Sequence, residues 1–385
     1  MRLKYLTIKK LFHKRKRAFF ICLIFLFLSV EKAISFTNPS ITEPAKIIWK
    51  PDNNYRKESR IWQGCPSLEK TSKRLWAAWF SGGKTEPDKG NYGVVVYSDN
   101  DGKSWVDPAM IIEHENEDVR VMDPQLWKDP LGRLWIFWVQ NYGTTTQDKI
   151  WGTWAIRIDK PTAKTPEWTK PVRIADGLTR NKVTVLSTGD WLLPSYNWVD
   201  NKSSVYISKD RGDNWQLLGG PVNEKSYFFE HMTTQLKDGR IWMLQRRMKE
   251  SFSDDAGKTW SPLTDVTKFM APDSRIFIRR LQSGNLLLVY NDDPEKKSRK
   301  NIVAVLSEDD GKTWPYKLSL DERINISYPD GVQDEQGLIY IIYDRSRTGD
   351  KEILMSTFKE EDIKSGYYGS KKSRQKVMVS KVIGN

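Results

Sequence analysis

Residues able to do chemistry are unevenly spread along this chain of 385 residues. Of three histidines and two cysteines, His13 and Cys22 lie within the first 35 residues, leaving His114, His231 and Cys65 beyond them. That inventory excludes a disulfide scaffold and a multi-cysteine zinc site. No phosphate loop, Ser-His-Asp order or metal-ligand cluster stands out, so no obligatory cofactor is expected, although a structural calcium ion is not legible from sequence. Acids and aromatics instead recur together as Ser-x-Asp-x-Gly-x-Thr-Trp. The pattern runs from Ser98 to Trp105 with Asn100 in third place, from Ser208 to Trp215 with Asn214 in seventh, from Ser253 to Trp260, and from Ser307 to Trp314. Such acids invite a cation or sugar site. Their recurrence favours structure: Asp and Gly make a hairpin turn while Trp tucks between adjacent sheets.

The elements that carry these turns repeat too. The boxes are spaced by 110, 45 and 54 residues, so a degenerate copy belongs in the first gap, where Pro161 to Trp168 lies. Each box is preceded by a short strand, a polar or glycine turn and an apolar strand. Gln125-Leu126 to Leu134-Trp135, Gln235-Leu236 to Ile241-Trp242 and Arg280-Leu281 to Leu286-Leu287 are examples among six copies. Hairpin repeats of this period without helical periodicity predict an all-β six-bladed β-propeller of four-stranded antiparallel blades. The sixth unit ends one strand short at Phe358, and a strand near Ile47-Ile48-Trp49 is expected to close that blade and tie the ring shut. Innermost strands of a propeller begin at the mouth of the central funnel. Asp123, Asn181, Lys182 and His231 stand at such strand starts and are candidates for subsite walls.

The formal charge of +13 suggests nucleic acid until its location is considered. Residues 1–35 hold nine Lys/Arg and one acid, and the end after Ser370 holds five more cations and no acid, leaving residues 36–370 neutral overall. No nucleic-acid partner is therefore expected. Basic residues up to Arg17, the apolar run Ala18 to Leu28 and the small residues Ala33-Ile34-Ser35 predict an export signal cleaved near Ser35, with an uncleaved anchor as the alternative. The expected organisation is a signal peptide over 1–35, a propeller over 36–360 and a basic tail over 361–385, in a protein that is exported and keeps no stable membrane span.

With its four boxes on a predicted six-bladed ring, the sequence resembles the sialidase (neuraminidase) superfamily over residues 45–360. Members use three arginines for the substrate carboxylate, a Tyr–Glu couple as nucleophile and an Asp as acid/base. A neutral tyrosine suits an anionic sugar that would repel a carboxylate nucleophile. The resemblance places the first arginine at Arg60, with Arg56 as a neighbour, because Arg60-Ile61 precedes Pro66-Ser67-Leu68 across an insertion. It places the glutamate at Glu230 and the second arginine at Arg246, sixteen residues later, with the third at Arg299 before the strand Ile302 to Ser307. Ser327-Tyr328-Pro329-Asp330-Gly331 matches the nucleophile strand, making Tyr328 the nucleophile. The acid/base falls in the loop Gly82 to Gly90, as Asp88 with Glu86 its rival.

The implied activity is a retaining exo-sialidase-like glycoside hydrolase acting on a terminal acidic sugar of a glycan. The altered Arg-Ile-Pro motif, with Asp123 and Lys182 in the funnel, leaves a uronic acid open as that sugar. Two alternatives from other classes stand beside it. A lyase or glycosidase of uronate polymers would use His and Tyr for proton transfer, and His231 adjoins Glu230. A non-catalytic carbohydrate-binding propeller would keep boxes and aromatics with no need of a Tyr–Glu couple.

Overall fold

A computed structural model describes residues 39–144, 151–163, 167–197, 200–224 and 229–383. The expected export signal lies outside the described residues. No described helix is long and apolar enough to cross a membrane.

Six antiparallel sheets form, each ordered from an innermost to an outermost strand. The innermost strands are Gly64–Thr71, Val119–Lys128, Thr184–Val185, Met232–Gln235, Phe277–Arg280 and Ile326–Gln333. Second strands read as almost unbroken apolar runs, as in Arg74–Ser81 and Leu134–Tyr142, because blades pack on neighbours through both faces. Leu75, Ala77, Ala78, Trp79 and Phe80 are all fully buried.

The boxes make turns, as their recurrence suggested. In each, the Ser Oγ accepts the Gly N–H: Gly102 to Ser98 at 2.9 Å, then Gly212 to Ser208, Gly257 to Ser253 and Gly311 to Ser307, all at 2.8 Å. Asp255 and Asp309 accept the N–H and hydroxyl of Thr259 and Thr313, and these bonds hold both carboxyls down at about 2. These acids are consumed by their own turns. Gly212 sits at φ +92°, and a Cβ there would come within 2.7 Å of the Trp135 ring, so only glycine fits. Trp105 packs between blades 1 and 6, and Trp260 between blades 3 and 4.

Ring closure departs from expectation. Lys46–Ile48 pairs with Val106–Glu113 as a fifth strand of blade 1, not with blade 6. The outermost strand of blade 6 is Arg374–Lys381, paired with Glu352–Phe358, so the segment expected as a basic tail completes the propeller. Among the described residues no strand is exchanged between the first and last blades. A polar seam joins them: Asp330 accepts Ser67 Oγ at 2.7 Å and Leu68 N at 2.9 Å, Asp344 accepts Cys65 N at 2.8 Å, and Asp107 accepts Ser380 Oγ at 2.7 Å.

Candidate active site

At the mouth, the innermost strands break their register. Bulges fall between Gly64 and Ser67, Met122 and Gln125, and Ser327 and Asp330. Each places one residue at positive φ: Cys65 at 57°, Asp123 at 50° and Tyr328 at 57°, while Glu230 stands at 41° just before Met232–Gln235. Proline follows the first three, which holds the strand open for the bulge. Left-handed backbone at bulky non-glycine residues is strained, and a bulge re-aims the side chain. Here the strain collects four side chains at one end of the ring.

Tyr328 Oη donates to Glu230 Oε1 at 2.7 Å. Arg180 Nη1 donates to the same oxygen at 2.7 Å and to Tyr328 Oη at 3.2 Å, while its Nε lies 2.7 Å from Asp123 Oδ2. Arg246 Nη1 stands 3.1 Å from Glu230 Oε2. Around the phenol ring, Arg347 lies 4.3 Å and Arg299 5.5 Å from the centroid. Burial, followed by the charge of Glu230, pushes the Tyr328 hydroxyl far above its usual range against Arg246 and Arg180. Burial would also raise Glu230, but Arg246, Arg180 and the Tyr328 hydrogen bond overcome it and hold the carboxyl below the ordinary value. The resting pair is thus a protonated phenol donating to a carboxylate, the arrangement that a nucleophile with a built-in base requires.

The other expected site residues divide. Arg299 joins the cluster, its Nε donating to Asp273 O at 3.1 Å. Asp123 joins it through Arg180, and burial pushes its carboxyl up to about 6 against that arginine. Arg60 does not: it is buried with Nη2 2.6 Å from Asp107 Oδ1, its guanidinium 5.7 Å from the Trp79 ring, in the wall of blade 1. Strand register explains the miss. Counting back from Pro66 along the innermost strand puts Gly64 at the mouth, and an insertion cannot slip inside a pleated register to bring Arg60 there. A Cβ at Gly64 would lie 2.6 Å from Arg347 Cδ, so Arg347 of blade 6 fills the space that glycine leaves.

Asp88 is also displaced from the centre. Its carboxylate accepts the N–H of Lys84 at 2.7 Å and of Lys89 at 2.8 Å, bonds that hold it below its ordinary value and close the loop. From that loop Glu86 reaches inward to pair with Arg347 Nη1. Lys182 is buried below the mouth, where Nζ donates to Leu126 O at 2.5 Å and Leu68 O at 2.6 Å and lies 3.3 Å from both Glu69 and Asp330. Its partners are all protein groups, on blades 1, 2 and 6. Asn181 donates to the carbonyls of Glu230 and His231, positioning the strand start. His231 Nε2 contacts Ser204 O at 2.7 Å, and burial lowers its pKa to about 4, so a neutral imidazole braces blade 3.

Arg180 and Arg347 were missed from sequence. Arg180 directly precedes Asn181-Lys182, and that strand-start position was its available signal; Arg347 lies after the second strand of blade 6, where nothing local marks it. Among the described residues no group of three His, Cys, Asp or Glu side chains converges as a metal site.

Comparisons with known proteins agree with this architecture. The BNR repeat-like domain family matches residues 73–341. A sialidase of Bacteroides fragilis is 21% identical over 267 residues, 62% of this chain and 47% of the relative, so the chain spans about half the length of that protein. A Hadza microbial sialidase superposes with a TM-score of 0.66 at 17% identity, over 80% of this chain and 68% of that one. The intramolecular trans-sialidase of Ruminococcus gnavus gives 0.64 at 13% identity, over 83% and 98%. At such identities the likeness concerns the fold. With the family covering most of the described propeller, the chain belongs to the BNR repeat-like domain family, within the sialidase-like superfamily of six-bladed propellers.

Proposed function

We propose that this protein is an exported retaining glycoside hydrolase that removes a terminal acidic sugar, with Tyr328 as nucleophile. The carrying observation is the 2.7 Å hydrogen bond from Tyr328 Oη to an ionised Glu230 inside a ring of arginines. Arg246, Arg299 and Arg347 are the carboxylate clamp, since permanently charged guanidinium groups suit a planar anion. As Tyr328 Oη bonds to the anomeric carbon, its proton passes to Glu230. Once the substrate carboxylate takes Arg347 from Glu86, that inward acid of the loop Gly82 to Gly90 is free to carry the proton it gives to the leaving glycosidic oxygen. Water then attacks the anomeric carbon, giving its proton to Glu86, while Tyr328 leaves and recovers its own from Glu230.

Sialic acid is the first candidate, on family grounds. A uronic acid is the second, favoured by the clamp itself: with Gly64 at the mouth and Arg347 supplied by the opposite side of the seam, the carboxylate is met from a different direction. His231, buried with Nε2 on Ser204 O and its pKa lowered to about 4 by burial, is a poor base for histidine-driven elimination. The test is release of a fluorescent aglycone from an α-sialoside and a β-glucuronide. Wild type is expected to cleave one of them, and Tyr328→Phe to lower kcat/KM by about 10³-fold or more with the fold retained. Equal rates in both proteins would remove the tyrosine mechanism; no cleavage of either would remove the hydrolase.

A further inference from the structure

A groove of about 580 Å³ opens at the mouth between blades 5 and 6. Its size falls within the range of about 300–1,000 Å³ for ligand pockets. Three mouth loops line it, contributing Lys297 and Arg299, Asn325, and Ser346 to Thr348 with Arg347 between them. Its floor is continuous with the site, because Arg299 and Arg347 both flank the Tyr328 ring, at 5.5 and 4.3 Å from its centroid. The lining carries three cations and no carboxylate.

Those cations are not neutralised evenly. Arg347 gives Nε to Asp344 at 2.9 Å and Nη1 to Glu86, while its buried Nη2 has no partner. Arg299 donates Nε to a backbone carbonyl and has no carboxylate within ion-pair distance among the described residues. Among the described residues Lys297 Nζ is ion-paired with Glu295 alone, at 3.5 Å, both being largely exposed, a contact that costs little to exchange. The loops are preset: Ser346 N donates to Asn325 O at 2.7 Å and Asp350 N to Ser346 Oγ at 3.1 Å. Neutral Asn and Thr groups between cations fit a hydroxylated sugar bearing a negative charge.

We infer that this groove is a subsite for a second anionic group, a carboxylate or sulfate on the sugar next to the terminal one, so that the substrate is a polyanionic glycan. The inference rests on the acidic-sugar reading above. Lys297 and the outer face of Arg299 hold the second charge, while the inner face of Arg299 with Arg347 and Arg246 holds the first.

The test is calorimetric titration of the Tyr328→Phe protein with α2,8-linked disialic acid, with 3′-sialyllactose carrying a sulfate on galactose, and with plain 3′-sialyllactose. Digalacturonate and methyl galacturonate form a parallel pair. The dianionic probe of whichever series binds is expected to bind about tenfold more tightly than its monoanionic counterpart. That ratio should fall to about threefold or less in Lys297→Ala, and should shrink as salt rises from about 50 to 200 mM. Disialic acid and the sulfated probe distinguish carboxylate from sulfate. Equal binding of mono- and dianionic probes, or a ratio unchanged by Lys297→Ala, overturns the subsite while leaving the hydrolase standing. Failure of every probe to bind overturns both.

Discussion

Tyr328, Glu230 and Asp123 share a backbone conformation that ordinary strand residues avoid, and they share one arginine, Arg180. Strain and charge are concentrated where chemistry requires them. Asp123 gives this a thermodynamic signature. Its carboxyl is pushed up to about 6 in the folded protein, against about 3.9 in an unfolded chain. The native state therefore binds that proton more tightly, so the contribution of Asp123 to stability is full below pH of about 4 and is lost as pH rises through about 6. Glu230 is shifted the other way, and its contribution is lost only as pH falls below the ordinary carboxylate range. Between pH of about 4.5 and 6 the stability advantage of wild type over Asp123→Asn is expected to fall by on the order of 2 kcal/mol, read from denaturant midpoints. A difference independent of pH would contradict the raised carboxyl.

At the scale of elements, the repeating unit was legible because each blade writes the same turn chemistry and the same apolar second strand. Tyr328, Glu230 and Arg246 were marked only by the resemblance, and they do meet at the mouth, with Tyr328 Oη 2.7 Å and Arg246 Nη1 3.1 Å from the Glu230 carboxylate. Arg347 and the true position of the first-blade mouth residue were not legible, because both depend on which strands meet across the seam. The closing strand was misread for a related cause. Arg374–Lys381 is charged and half-exposed, with only Val379 and Ser380 buried, so it lacks the apolar run that marks inner strands. Its role is nevertheless to cover Glu352–Phe358, all seven of whose residues are buried. Ending the chain at Ser370 would uncover Ile353, Leu354 and Met355 along an open edge. A fall in Tm of at least about 10 °C, with aggregation, is expected. An unchanged melting curve would show that the last strand is dispensable.

The whole ring is held by buried charge at its axis and by its seam. Lys182 of blade 3 touches blade 1 through Leu68 O and Glu69, blade 2 through Leu126 O and blade 6 through Asp330. Lys182→Met would strand Glu69 without its cation and leave Asp330 only Arg275 at 3.4 Å, and is expected to destabilise the protein by about 3–5 kcal/mol with KM little changed. A raised KM with stability intact would instead place Lys182 against substrate. The polar mouth then stands on a rigid base, which suits a nucleophile that must be held to within a fraction of an ångström. The most direct measurement is covalent trapping: wild type incubated with fluorinated sialosyl and glucuronosyl fluorides, followed by intact-protein and peptide mass spectrometry. One added sugar, attached to Tyr328 and absent in Tyr328→Phe, is the expected result; a label on another residue, or on the Phe variant as well, would contradict the tyrosine nucleophile.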